Sequence, residues 1–502
     1  MQLPTLSTQN VQPSIQQEAP SLDQQIDAFV APVSAALNEI IFFSVSFFGV
    51  RLPLVVVWLI GAAAIFTIAF RFINLRGFAH AWSVLLGRGG SSAHDTDDGK
   101  DVDGEISHFE ALSSALSGTV GLGNIASVPV AICLGGPGAI FWMILAGFLG
   151  MSSKFAECAL AVKYRRVLPS GRVLGGPMFY IEAVFRRRNL SIVGKGLAIV
   201  FAVACMGGSI SIFQVNQSHA QFESVTGVSA PLTYGVILCG LVAFVILGGI
   251  KSIGRVTRIL VPGMAGIYLL AGISIIIINI GELPGAIGLI FSGAFGLDAA
   301  GGGIAGALIN GVQRATYSSE AGVGSAAIAH SAVKTKDPLS EGFVALLEPF
   351  IDTIVVCTIT ALVIIVTGVY EPFLYVDRSE IVGIGLTSAA FADTFSWYPY
   401  VLLVSVVLFA FSTLVSWAYY GSQAAAYLFG ATRSVDVTFK IVLCLLLSTG
   451  AAVSLSAIID FIDAMLFTMC VPNIIALYLL LPELRRDLSS YEERKMSNRA
   501  KG

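Results

Sequence analysis

The chain has 502 residues, of which 55% are hydrophobic and only 12% charged, with a formal net charge of −3. Its mean hydropathy is +0.81, whereas in soluble domains about a quarter of the residues are charged. A soluble globular class is therefore excluded, and the chain reads as an integral membrane protein of the all-α class.

Residues 1–21 are rich in Gln, Ser and Pro and are expected to be disordered. Residues 1–50 contain no Lys or Arg, so the basic start of a secretory signal is missing. Over 22–50, apolar residues recur among Asp23, Gln24, Gln25, Asp27 and Asn38, which predicts an amphipathic helix on the membrane surface. A span needs about 20 mainly apolar residues. Eleven windows qualify, at about 52–72, 111–133, 138–162, 193–216, 231–249, 258–280, 303–330, 342–368, 398–427, 438–456 and 459–481.

Cytoplasmic loops carry the excess of Lys and Arg, and the chain alternates accordingly. The loop after the third window holds Lys163, Arg165, Arg166, Arg172, Arg186, Arg187, Arg188 and Lys195, while 217–230 holds none. Lys251, Arg255 and Arg258 follow, then a bare loop at 281–302, then Lys334 and Lys336. An outer loop has Arg378 alone, Arg433 comes next, and the tail 482–502 carries Arg485, Arg486, Arg494, Lys495, Arg499 and Lys501. Eleven spans with the N-terminus outside and the C-terminus cytoplasmic fit this pattern. The basic clusters are thus accounted for by topology, and nothing points to nucleic acid.

Within the second window stands Ser117-Gly-Thr-Val-Gly-Leu-Gly-Asn124, and within the seventh Ser319-Glu-Ala-Gly-Val-Gly-Ser325. Gly121 and Gly123 match Gly322 and Gly324 at an offset of 201 residues, and Pro137 matches Pro338 at the same offset. Windows two to six (111–280) and seven to eleven (303–481) then form two five-helix units of opposite topology, with 52–72 as an extra span. Paired glycine-interrupted spans in corresponding positions of two halves point to a secondary transporter's binding site. A half-helix N-terminus offers free N–H groups and partial positive charge, so Gly121, Leu122, Gly123 and Asn124 can receive a substrate carboxylate. Carbonyls freed between Ser318 and Gly324, through Ser319, Glu320, Gly322 and Val323, can accept from an ammonium or bind a cation. The alternative is that these glycines serve close helix packing.

Glu320 lies inside the second break, where an intramembrane carboxylate is expected to be functional. It can offset an ammonium, take up a proton or cap a helix, and Arg314 can pair with it or gate the outer path. Lys154 and Glu157 read as an i,i+3 pair, whereas Glu348 and Asp352 are like charges at i,i+4 whose roles stay open, as do those of Asp460 and Asp463. The seven cysteines have no metal-ligand spacing. No HExxH or Ser/Lys dyad points to an enzyme.

The phrases RFINLRGF (71–78), ALSGTVGLGNIASVPVAI (115–132), GGPGAIFWMILAGFLGMSSKFAE (135–157), GGPMFYIE (175–182), YSSEAGVGSAAIAH (317–330) and FAFSTLVSWAYYG (409–421) are similar to those of the alanine-or-glycine:cation symporter family. The resemblance covers about 25–482. It implies a five-plus-five inverted-repeat fold of the leucine-transporter type and sodium-driven uptake of small neutral amino acids in a bacterial inner membrane. It implies no organic cofactor and no obligatory protein partner. It further implies one sodium site at the Asn124 side chain, the Thr119 carbonyl and Ser318. A second would use carbonyls near Ser117 and Val120 with the hydroxyls of Ser412 and Thr413. It puts Gln214 in contact with substrate and makes Trp417 a pocket wall that rejects bulky side chains. The family pattern has Thr where this chain has Leu122 and Asn where it has Ser319, which leaves substrate identity the least determined feature. Proton coupling through Glu320 and a channel are the rival readings.

Overall fold

A computed structural model describes residues 36–47, 50–87, 103–296, 303–375, 383–453 and 455–501. The tail at 1–21 lies outside the described residues, as do 22–35 of the expected surface helix. Where that segment is described, helix at 36–41 gives way to an antiparallel hairpin, β1 (Ser44–Phe47) with β2 (Val50–Pro53). The helix therefore does not run to residue 50. Ser44-Val-Ser-Phe47 alternates and is rich in strand-favouring residues.

The helices follow in chain order. Pro53, whose fixed φ suits a helix start, precedes α1 (Leu54–Ala69). A capping box of Ser107 and Glu110 opens α2 (His108–Thr119). It meets α3 (Leu122–Gly135) at a bend of 48°. Then come α4 (Ala139–Lys163), α5 (Pro177–Arg186), α6 (Ser191–Gly208), α7 (Ile212–Thr226), α8 (Pro231–Ile246) and α9 (Gly249–Ile278). The expected outer loop 281–302 contains a further apolar helix, α10 (Leu283–Phe295), too short to register as a span. The second half comprises α11 (Gly303–Ser319), α12 (Ala326–His330), α13 (Pro338–Thr367), α14 (Ile384–Thr394), α15 (Tyr398–Phe429), α16 (Arg433–Ser448) and α17 (Leu455–Lys501).

Helix runs through each of the eleven windows, but among the described residues six helices are long and apolar enough to cross a bilayer: α4, α6 with α7, α9, α13, α15 and α17. The bent α2–α3 pair makes a seventh. A belt of exposed apolar side chains, such as Phe244 at 85% and Leu270 at 72%, suits lipid contact better than water.

The interior holds charge. Lys154 and Glu348 are fully buried and pair at 2.9 Å, linking α4 to α13. Lys154 thus reaches across helices rather than to Glu157, which instead accepts from the Asn473 amide at 2.8 Å. Glu348 lies 3.4 Å from His330 Nε2, His330 Nδ1 meets Glu341, and Glu341 meets His108. Basic loop and C-terminal helix come together where Lys163 and Arg187 pair with Glu483 at 2.7 and 2.8 Å.

Candidate functional site

The first break is made by two residues. α2 stops at Thr119, Val120 turns out of helical geometry, and extended Gly121 leads into α3. A Cβ on Gly121 would overlap the Thr413 hydroxyl, so only glycine lets α15 approach this closely. The first N–H groups of α3 have acceptors of their own. Gly121 N–H donates to Asn124 Oδ1 at 2.8 Å and Leu122 N–H to Gln214 Oε1 at 3.2 Å.

The second break takes more chain. Between α11 and α12, Glu320 (φ 53°), Gly322 (φ 87°) and Gly324 (φ 87°) adopt left-handed backbone. Glycine does so freely, but for Glu320 the conformation is strained. Its carboxylate is held on both oxygens, accepting from Trp417 Nε1 at 3.0 Å and from the Ser325 hydroxyl.

A small cavity of about 20 Å³ lies between the breaks, lined by Gly118, Thr119, Gly123, Gln214, Tyr317, Glu320 and Trp417 among others. That is about the room one water needs. Of the residues assigned to substrate, Gly123, Gln214, Glu320 and Trp417 line it, while Gly121, Leu122 and Asn124 do not. Ser319 donates back to the Ala315 carbonyl at 2.9 Å. A Cβ on Gly322 would strike Leu59 of α1, the Gly322 carbonyl accepts from Asn473 at 2.9 Å, and Gly324 packs on Pro177 and Asn473. Val323 is fully buried and does not line the cavity. Carbonyl acceptance at Gly322 is therefore directed to α17.

Beside the cavity lies a carboxylate whose role the sequence left open. α13 widens into a π-helical stretch over Phe350–Cys357, a geometry frequent at functional sites. Asp352, fully buried, accepts from Asn124 Nδ2 at 2.6 Å, from Ser318 Oγ at 2.8 Å and from Thr353 Oγ1 at 2.7 Å. Asn124 also donates to Ser318 Oγ at 2.9 Å. Asn124 and Ser318, assigned from sequence to one ion site, thus meet on Asp352. The available signal was the like-charge i,i+4 pair: Glu348 has Lys154, so Asp352 needed other partners.

For the second assigned ion site, Ser117 Oγ donates to the Ser412 carbonyl at 2.7 Å and Ser412 Oγ to the Phe409 carbonyl at 3.0 Å. Thr119, assigned with Asn124 and Ser318 to the first site, donates its Oγ1 to the Ala115 carbonyl at 3.3 Å. Val120 is fully buried at the break. Thr413 Oγ1 is buried against Gly121 and has no hydrogen-bond partner among the described residues. An orphaned oxygen in this position fits a hard cation, which prefers oxygen ligands. Arg314 pairs with Asp463, not Glu320, and stacks 5.6 Å from the Tyr317 ring centre. Its partner Asp463 lines an open cavity of about 560 Å³ together with Asn310, Gln313 and Asp460.

The sodium:alanine symporter family model matches residues 35–501. The sodium/alanine symporter AgcS of Methanococcus maripaludis is 39% identical over 85% of this chain and 92% of its own. YrbD of Bacillus subtilis, described as a putative sodium/proton-dependent alanine carrier protein, is 35% identical over 87% and 89%. Among solved structures, MhsT in complex with L-phenylalanine superposes with a TM-score of 0.52 at 17% identity, over 75% of this chain and 89% of MhsT. That likeness is one of fold.

Proposed function

This chain belongs to the sodium:alanine symporter family, whose members are membrane amino-acid transporters and not enzymes, and from that premise we propose that it carries alanine or glycine together with sodium by alternating access. The observation that carries the reading is the pair of helix breaks around a small cavity, with Glu320 and Trp417 in its wall and bonded to each other. The substrate carboxylate takes the Leu122 N–H at the start of α3 by displacing Gln214 Oε1, which accepts from it at 3.2 Å, and Gln214 can then turn its amide N–H to the same carboxylate. The ammonium is met by Glu320, which lines the cavity. Trp417 limits the side-chain room and favours small substrates. Hard oxygens for sodium come from Asp352 and Ser318 at one position and from Thr413 at the other.

The same reading keeps eleven spans, inverted repeats at 111–280 and 303–481, an outer N-terminus and a cytoplasmic tail at 482–502 in a bacterial inner membrane. A second reading, proton coupling, is favoured by the burial of Glu320 at the cavity. Radiolabelled alanine uptake into proteoliposomes, driven by sodium, potassium or proton gradients, separates the two. Saturable sodium-dependent uptake competed by glycine supports symport, and sodium-independent, acid-stimulated uptake supports the proton reading. No uptake of alanine or glycine under any gradient overturns the substrate assignment.

A further inference from the structure

A second polar cavity lies apart from the breaks, with a volume of about 270 Å³, near the lower end of small-molecule pockets at about 300 Å³. Its walls are Glu105 ahead of α2, Arg172, Tyr419 and Gln423 near the end of α15, and Asp436 and Lys440 on α16. This is the face that carries Arg172, Lys251 and Arg433, cytoplasmic by the charge alternation. Both charge signs line the cavity, as a zwitterion requires.

Two of these groups have capacity to spare. Asp436 takes Lys440 Nζ at 2.7 Å and the Ser422 hydroxyl, but Arg172 stands 4.0 Å from it. That long contact leaves donors of the guanidinium for a second acceptor. Gln423 is 1% exposed; its amide donates to the Tyr419 hydroxyl at 2.8 Å and the Val173 carbonyl at 3.3 Å. Its Oε1 is buried without a partner among the described residues, and a buried acceptor left unmet is unfavourable. The same helix carries Trp417 at the central cavity. Between them Tyr420, fully buried, meets Trp417 edge-on at 5.4 Å, and a Cβ on Gly118 would come within 2.8 Å of its hydroxyl.

We propose that this cavity is an inner subsite where the transported amino acid rests on the cytoplasmic side of Tyr420, its carboxylate on Arg172 and its ammonium on Gln423 Oε1 and the neighbouring acids. The inference rests on the amino-acid transport reading above. Alanine exchange in proteoliposomes of defined orientation tests it, with half-saturation measured separately at each face for Arg172→Gln and Gln423→Leu. The expected result is a rise of about fivefold or more at the cytoplasmic face, with less than a twofold change at the outer face. Wild-type exchange with unmoved cytoplasmic half-saturation in the variants, or equal shifts at both faces, overturns the subsite alone. Wild-type protein that exchanges neither alanine nor glycine overturns the parent reading and the subsite with it. Arg172 is partly exposed, with 29% of its side chain accessible, so its variant keeps the test open if Gln423→Leu does not fold.

Discussion

Replacing Thr413 by valine tests the ion site most sharply, because its two expected effects have opposite signs. Valine keeps the branched shape and removes a hydroxyl that is 1% exposed and unpartnered among the described residues. A buried polar group left unsatisfied costs about 1–3 kcal/mol. In sodium-free buffer the variant should therefore match the parent in stability or exceed it by about 1 kcal/mol. An interaction with a charged group contributes about 1.5–3 kcal/mol. Losing one sodium ligand of that size raises the half-saturating sodium concentration roughly tenfold to a hundredfold, at about 1.4 kcal/mol per decade. Ser412→Ala is the contrast, since its hydroxyl already donates to the Phe409 carbonyl, and a much smaller shift is expected. The assay is alanine uptake against a sodium titration, with thermal unfolding in sodium-free buffer alongside. An unchanged sodium half-saturation in Thr413→Val would refute the reasoning. A large loss of sodium-free stability would refute it differently, by giving the hydroxyl a structural partner.

The same geometry makes four further predictions. Asp352→Asn keeps the shape but removes the charge that Asn124, Ser318 and Thr353 converge on; its sodium half-saturation should rise about tenfold or more, and an unaltered titration would remove Asp352 from the ion site. Trp417→Ala should admit bulkier neutral amino acids as competitors of alanine uptake, while Glu320→Gln, which loses a charge-assisted bond from Trp417 or Ser325, should lower uptake roughly ten- to a hundredfold; unchanged competition and uptake would put neither residue at the substrate. Lys154→Met leaves Glu348 buried beside His330 alone and should cost about 3–5 kcal/mol in detergent unfolding, with Lys154→Met/Glu348→Leu recovering most of that loss; equal destabilisation in single and double variants would contradict the ion-pair account.

The breaks were legible because glycine pairs leave a mark that survives without tertiary information, and both fall where the 201-residue offset put them. Partners across the fold were not. Spacing suggested Lys154 with Glu157 by the local i,i+3 rule, yet Lys154 meets Glu348, 194 residues away. Arg314 likewise finds Asp463 across 149 residues. Asp352 could be singled out as needing partners but not given them, since Asn124, Ser318 and the π-helical stretch converge only on folding. Gly322, Val323 and Gly324 were assigned to substrate because the motif repeats. Leu59 of α1, Pro177 of α5 and Asn473 of α17 instead pack on Gly322 and Gly324. Hydropathy also passed over α10, which is helical and apolar but shorter than a span.

The distribution of buried charge bears on which helices move together in the proposed cycle. Lys154, Glu348, His330, Glu341 and His108 join α4, α13, α12 and the start of α2 in one run of buried polar contacts. Breaking the Lys154–Glu348 link would strand a buried charge, which favours α4 and α13 shifting as a unit. Their contacts with α15 are of another kind. Ser117 donates to the Ser412 carbonyl, Ser416 to the Ser114 carbonyl, and Trp417 to Glu320. The two serine bonds contribute about 0.5–1.5 kcal/mol each and can be exchanged without stranding charge. Thr413 and Trp417 sit on α15 at that boundary, while Asp352 and Glu320 belong to the ion-paired side. A ligand shifts an equilibrium only by its differential affinity for the two arrangements, and one held between these faces has such a difference by construction. Sodium at Thr413 and an amino acid against Trp417 would bias the same boundary, so each ligand should tighten the other's binding without direct contact between them.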